Sequence, residues 1–291
     1  MTLTPQQLAH FETFGFIVLR QLFSPDEMAQ VAREFEQHLE ADLQGRKFTG
    51  EKRLAVTSFI EKRPSMWWLL EDDRIYEPME QILGPDFIWR GSGANLFVGN
   101  TEWHRDAADL EVNFTRINVL FYLDPVGKDS GCIRLIPGSH RDPFHSMLRP
   151  LNYWRKKQVA VEGRIPPSDV EEFAAEFNIT EDEPLFSVPP DELPCYAAET
   201  NPGDVFLFNM YSYHATYGGQ TGRRMFGLNF ASDPKTEDQQ NLLRRQARTT
   251  LNSRKVMQHN LDEALYDPAF LNSDRPRIRR MTSRLNELGI R

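Results

Sequence analysis

His104 and Asp106 stand two positions apart in the stretch NTEWHRDAAD, residues 100–109. In a strand or its direct continuation, residues two apart project to the same side, so this imidazole and carboxylate aim together while Arg105 between them aims away. That geometry suits an imidazole and a carboxylate chelating a single metal ion, though the H-x-D spacing alone also fits a solvated strand edge. A second imidazole would complete a 2-His-1-carboxylate set, which leaves three adjacent coordination positions open. That arrangement suits a non-haem Fe(II) that must bind a cosubstrate and O2 together. Of the seven histidines, His10 and His38 fall on helical patterns, His259 lies in the tail, and His140 and His145 follow the turn IPGSH. His214 differs: it ends the apolar run DVFLFNMYSYHAT and precedes a glycine pair, where a side chain can face a cavity mouth.

Beyond His214 come Arg223 and Arg224, which open the run RRMFGLNFAS. An arginine inside a barrel needs an anion, and its planar fork binds a carboxylate through two parallel hydrogen bonds. A 2-oxo diacid chelating iron through its keto oxygen and first carboxylate would place its distal carboxylate there. Neighbours in a strand face opposite ways, so only one of the two arginines can serve. Arg223 shares its side with Met225, Gly227 and Asn229, which leave room for a cosubstrate. Arg224 shares its side with Phe226, Leu228 and Phe230, a face suited to packing under a helix. Arg223 is the favoured anion ligand and Arg224 the alternative.

The elements that must position these groups follow from capping and periodicity. Residues 4–14, TPQQLAHFETF, begin with a capping threonine and a first-turn proline and predict a short helix. GFIVLRQLF reads as a buried strand, and SPDEM opens a long amphipathic helix to about Leu43 that covers a sheet. The polar GRKFTGEKRL predicts a loop over a site, and a helix is expected from about Ser65 to Leu83. From DFIWRGSGANLFVG onward the period changes to two. RINVLFYLD, CIRLIPG, DVFLFNMYSYHAT and RRMFGLNFAS predict short strands of an antiparallel barrel or sandwich. An insertion over residues 150–200 carries the helical SDVEEFAAEFNI and is expected to act as a lid or substrate loop. The basic tail, about residues 236–291, predicts helices that pack on the barrel or on a second copy in a homodimer.

The composition narrows the partners. With 34 basic and 42 acidic residues the net charge is -8, which disfavours nucleic acid and anionic lipid. No apolar run reaches the length of a membrane span, and the start MTLTPQQLAHFETFGF lacks signal-peptide character, so a cytoplasmic protein is expected. Two cysteines, Cys132 and Cys195, exclude a disulfide framework and a thiolate zinc site. The expected partner is a small molecule. Arg90, Arg116, Arg134 and Lys157 read as solvated surface charges or, as the alternative, contacts for an acidic substrate group, and Trp103, Tyr153, Trp154, Tyr211, Tyr213 and Tyr217 as pocket wall or core.

Taken in order, FETFGFIVLRQLFSPDEM, WHRD, FYLDPVGKDSGCIRLIPGSH, NPGDVFLFN and YHATYGGQTGRR resemble the phytanoyl-CoA dioxygenase family of Fe(II)/2-oxoglutarate oxygenases, over about residues 8–232. The resemblance implies one oxygenase domain over 1–291, mainly β with flanking helices: a double-stranded β-helix, or cupin-like jelly roll, with N-terminal helices on its major sheet. It implies Fe(II) held by His104, Asp106 and His214, with 2-oxoglutarate and O2 as cosubstrates. It also implies an arginine for 2-oxoglutarate after the second histidine, usually a little further along than here, so a shortened turn is required. Asn118, inward beside Leu120 and Tyr122, and Asn95 are candidates to hydrogen-bond 2-oxoglutarate. Halogenating relatives leave the carboxylate position vacant, so Asp106 points to hydroxylation, or to desaturation or cyclisation. The chain's end, ELGIR, lacks a peroxisomal signal, which argues against a fatty acyl-CoA substrate. Two rival readings are a hydrolase using another metal such as zinc, and a cupin-like binding protein without turnover. The first leaves the arginine unexplained and lacks a dedicated general base.

Overall fold

A computed structural model describes residues 1–43, 47–51, 53–107, 110–148, 151, 192–257 and 264–291. Helix α1 (Pro5–Phe14) starts at a reciprocal cap: the Gln7 amide donates to Thr4 Oγ1 and the Thr4 amide donates to the Gln7 side chain. Gly15 ends it with φ 82°, a left-handed conformation that glycine adopts without strain. Strand β1 (Phe16–Leu19) and helix α2 (Pro25–Leu43) follow as the sequence predicts.

The single helix expected from Ser65 to Leu83 is instead a 3-10 turn, Pro64–Met66, and two helices, Trp68–Glu71 and Asp73–Leu83. Asp72 makes the break. Its backbone is extended, with ψ 129°, and its carboxylate caps the Arg74 amide at 2.9 Å, so the chain restarts a helix there. The loop predicted over GRKFTGEKRL also ends earlier than expected, because Leu54 opens an edge strand, β2 (Leu54–Thr57). The insertion over 150–200, with its helix, lies outside the described residues apart from Leu151 and the stretch from 192.

The remaining strands are β3 (Ile88–Phe97), β4 (Thr101–His104), β5 (Arg116–Tyr122), β6 (Ile133–Leu135), β7 (Tyr196–Ala198), β8 (Val205–Asn209), β9 (His214–Thr216) and β10 (Arg223–Ala231). They form two sheets, a major one ordered β1-β8-β5-β10-β3-β2 and a minor one ordered β4-β9-β6-β7, with every pairing antiparallel. The run DVFLFNMYSYHAT is therefore not one strand. It crosses from the major sheet to the minor one through a turn at Met210–Tyr213, and His214 begins a strand instead of ending one.

Alternation along each strand of the major sheet divides its side chains between two layers. Ile117, Val119 and Phe121 of β5, Val205 and Leu207 of β8, and Phe226, Leu228 and Phe230 of β10 face a core shared with Phe11 of α1 and Met28, Val31 and Phe35 of α2. Leu120 and Tyr122, Phe206 and Phe208, and Met225 face the other way, toward Ile133 and Leu135 of the minor sheet. The tail belongs to the helical layer: Leu242 and Leu243 on the helix Glu237–Met257, and Ile278, Met281 and Leu285 on the helix Pro276–Glu287, are buried in it. Its basic residues meet acids of the chain's own surface, with Arg275 on Glu71 and Arg277 on Asp73, both at 2.6 Å. Among the described residues no helix is long and apolar enough to cross a membrane.

The centre of the helical layer rests on Phe121 and Phe226, neighbours across β5 and β10 whose rings stack at 4.6 Å and are fully buried. Phe226→Ala should lower unfolding free energy by about 3–5 kcal/mol, measured by denaturant titration.

Candidate metal centre

Strands β4 and β9 pair so that His104 lies directly opposite His214, with ring centroids 4.2 Å apart. Between this pair and the Thr101–Thr216 pair the register shifts, a bulge that gives β4 one residue more than its partner. After His104 the chain leaves the sheet, and the Asp106 and Ala107 amides both donate to the Met210 carbonyl at 3.0 Å. That clamp turns the Asp106 carboxylate back toward the imidazoles. Its two oxygens stand 3.8 Å from His104 Nε2 and 3.7 Å from His214 Nε2. One ligand atom from each of the three residues falls within 4.8 Å of the others.

The tautomers follow from the backbone. His104 Nδ1 is 2.7 Å from the Glu102 carbonyl, and His214 Nδ1 is 2.9 Å from the Ser212 carbonyl. A carbonyl only accepts, so each Nδ1 carries the proton and each Nε2 presents a lone pair to the shared point. This is the outer hydrogen bonding that orients metal-binding imidazoles. Burial, then the adjacent His214, push the His104 imidazole down to about 4 against the opposing pull of Asp106, so it is neutral and able to ligate at neutral pH.

Arg223 lies inside the barrel, 4 % exposed, with its Cζ 5.2 Å over the Phe97 ring. Its Nε, Nη1 and Nη2 have no hydrogen-bond partner among the described residues. The space it occupies exists because two neighbours lack side chains: a Cβ on Gly131 would sit 2.6 Å from Arg223 Cζ, and one on Gly219 would strike Nη1. Burial pulls its guanidinium below the ordinary arginine value. Arg224 takes the opposite face, held by Asp124 and by Glu36 of α2 at 2.6 and 2.5 Å. Of the two adjacent arginines, then, Arg223 is the one whose three guanidinium nitrogens have no hydrogen-bond partner among the described residues.

Asn118 shares the inward face with Leu120 and Tyr122, and its Oδ1 is buried with no partner among the described residues. Asn95 is otherwise engaged: its Oδ1 accepts from Arg53 Nε and Nη2 at 2.9 and 2.6 Å. Arg53 in turn lies 4.1 Å over the Phe97 ring, and its charge reaches His104. Sequence reasoning missed Arg53, Gly131 and Gly219; the glycines were legible only as turn formers. Trp103 and Tyr213 pack with Ile136 and Ala215 in a small core, and Tyr211 packs with Ala107 and Met210, while Tyr153 and Trp154 lie outside the described residues. Arg116, expected on the surface, is fully buried and donates to Tyr211 Oη at 3.1 Å. Strand alternation places it there, on the same side as Asn118.

Two facing antiparallel sheets, one bearing helices on its outer side and the other bearing the histidine pair, make a jelly-roll fold with its donor set at the minor sheet. Similar solved structures share it. The chain matches HygX from Streptomyces hygroscopicus, solved with nickel and 2-oxoglutarate, at TM-score 0.57 and 17% identity over 81% of this chain and 90% of that one. It matches the non-heme alpha-ketoglutarate-dependent carbocyclase SnoK of nogalamycin biosynthesis at TM-score 0.55 and 16% identity over 79% and 84%. The sequence profile described as phytanoyl-CoA dioxygenase (PhyH) matches residues 11–226, and the chain belongs to that family. Among named relatives are dioxygenase sphC of Aspergillus fumigatus, 24% identical over 47% of this chain and 44% of its own, and ectoine dioxygenase of Streptomyces coelicolor, 26% over 57% and 61%. The chain spans about half the length of the curated relatives it matches.

The turn that delivers His214 rests on Asn209, whose side chain accepts from the Tyr211 amide at 3.0 Å while its carbonyl accepts from Ser212 at 2.9 Å. Asn209→Ala should cost about 1 kcal/mol of stability, read from thermal unfolding, with the fold retained.

Proposed function

We propose that this chain is an Fe(II)- and 2-oxoglutarate-dependent dioxygenase that hydroxylates, desaturates or cyclises at a C–H bond of a small metabolite or natural product and releases succinate and CO2. One observation carries the reading: three metal-type donors meet at a point inside a barrel that also holds a buried guanidinium with no hydrogen-bond partner among the described residues. A nitrogen and oxygen donor set of two imidazoles and one carboxylate fits Fe(II). An enclosed cation without a counter-charge among the described residues fits the distal carboxylate of a 2-oxo diacid. The names of the relatives, ectoine dioxygenase and a carbocyclase of nogalamycin biosynthesis, support a small-molecule substrate.

His104 and His214 would hold the metal through Nε2 and Asp106 through its carboxylate. Fe(II) bound there supplies the activation of O2, coupled to oxidative decarboxylation of 2-oxoglutarate, that oxidises the substrate C–H bond. The remaining roles belong to the chain. Arg223 binds the distal carboxylate of 2-oxoglutarate and so sets which end of the cosubstrate approaches the metal. Asn118 donates an amide N–H to the cosubstrate, since its terminal oxygen and nitrogen exchange places by a half-turn. Asn95 acts one step removed, by fixing Arg53 over Phe97. Phe97, Leu120, Phe208 and Met225 make the walls apolar and limit water at the reacting bond.

The test is succinate production from Fe(II), 2-oxoglutarate and O2 across a panel of small candidate substrates, read by mass spectrometry. Succinate should form with wild-type protein, should require Fe(II), and should vanish in His104→Ala and Asp106→Ala. A wild-type protein that binds neither Fe(II) nor 2-oxoglutarate sinks the proposal.

Arg223→Gln should weaken 2-oxoglutarate binding about thirtyfold or more, the scale set by removing one member of a buried charge pair. Gly131→Ala should act in the same direction by displacing the guanidinium, and both variants should keep wild-type metal affinity. Calorimetric titration with metal and then with 2-oxoglutarate separates the two effects.

A further inference from the structure

Arg105 sits between two of the donor residues and points away from both. It is 2 % exposed, and its Nη1 lies 2.7 Å from His145 Nε2. His145 Nδ1 lies 2.9 Å from the Ser139 carbonyl. That carbonyl only accepts, so Nδ1 bears the proton and Nε2 is left as an acceptor for the guanidinium. Ser139 continues the chain of contacts: its Oγ donates to the Ile136 carbonyl at 2.6 Å and accepts from the Tyr213 amide at 2.9 Å. Tyr213 adjoins His214. The polar path thus closes a ring from the His104–Asp106 segment through Arg105, His145 and Ser139 to the segment that begins β9.

We propose that His145 is a positioning residue for the metal centre: its neutral Nδ1–H imidazole pins Arg105, keeps Asp106 aligned with His214, and releases that hold when a proton is added at Nε2. This rests on the metal-centre reading above. A protonated His145 would turn a second N–H donor and a second positive charge toward Arg105, so the contact cannot survive as it stands. The groups facing His145 are Arg105 from the donor segment, Tyr211 and Tyr213 from the turn before β9, with ring centroids at 6.0 and 5.4 Å, and its own neighbours His140 and Asp142. Of these, Asp142 and the Tyr211 backbone favour the charged form, as does the Ser139 carbonyl. Burial, then the Arg105 charge, outweigh them and hold the imidazole below its ordinary value.

The sign follows. The neutral form is the competent one, so the hold is complete above about pH 6.5, the ordinary histidine value, and weakens as pH falls through the lowered value. The ligand imidazoles also bind protons in acid, so acid loss of metal is expected in any case. The signature of His145 is the difference between variants.

Co(II) titration followed by visible absorption, repeated across pH, makes the test without requiring turnover. His145→Gln keeps an acceptor for Arg105 and a donor for the Ser139 carbonyl but cannot titrate. It should bind Co(II) at pH 7.5 within about threefold of wild type, and its plot of log affinity against pH should be shallower by up to one proton. His145→Ala removes the Nε2 acceptor from Arg105 Nη1 and the Nδ1 donor from the Ser139 carbonyl, and should bind about tenfold more weakly. Wild-type affinity in His145→Ala, or the wild-type slope in His145→Gln, overturns the proposal. If the alanine variant does not fold, the slope of the glutamine variant decides alone. A wild-type protein that takes up no Co(II) at any pH removes the metal centre itself, and that failure is distinct because it appears before any variant is compared.

Discussion

The site depends on one strand pairing. β4 and β9 place His104 and His214 opposite each other, and the closeness of cross-strand partners brings two imidazoles to one point although they lie far apart in the chain. A slip of one residue would turn either histidine to the other face of the sheet. The register is held from several sides: Thr101 and Thr216 share a hydroxyl contact at 2.9 Å, Leu135 of β6 pairs with His214 from the far side, and the Met210 carbonyl anchors the segment that carries Asp106.

The major sheet makes that pairing possible by burying both of its faces. Its outward side chains meet α1, α2 and the tail helices, and its inward ones meet the minor sheet. A four-stranded minor sheet with short strands would be marginal alone. Packed against a six-stranded partner, it can spend its end on histidines and an aspartate instead of apolar residues. The tail contributes to this support although it lies beyond the family match at residues 11–226, because its helices fill the layer behind β3 and β10.

Much of this was legible in the sequence, and what was not has physical reasons. Alternation in RINVLFYLD and RRMFGLNFAS predicted which side of β5 and β10 faces in, because period two is a local property and both strands are long enough to display it. The crossing between sheets inside DVFLFNMYSYHAT was hidden, since aromatic residues fill the turn as readily as the strands and the one turn signal, Asn209, is a single side chain. The helix break at Asp72 was hidden likewise, because DD between apolar helical runs is also compatible with one continuous helix. Arg53 was missed because its position beside His104 depends on the pairing of β2 with β3, a contact between segments far apart in the chain. Gly131 and Gly219 were visible as turn formers, yet their second effect, leaving a space the size of a guanidinium, appears only when two distant turns meet.

Adjacent arginines show how far a single alternation can carry function. Arg223 and Arg224 have the same chemistry and differ by one step along β10. Arg224 falls on the helical side, where Asp124 and Glu36 neutralise it, and there it fastens α2 to the sheet. Arg223 falls on the barrel side, among Phe97, Tyr122 and the glycines, where its guanidinium nitrogens have no partner among the described residues. Leaving a buried charge unpaired is unfavourable, so under the proposed function an anion entering the barrel would recover what folding gave up. On that proposal, the parity of one strand decides which of two chemically identical arginines meets the cosubstrate.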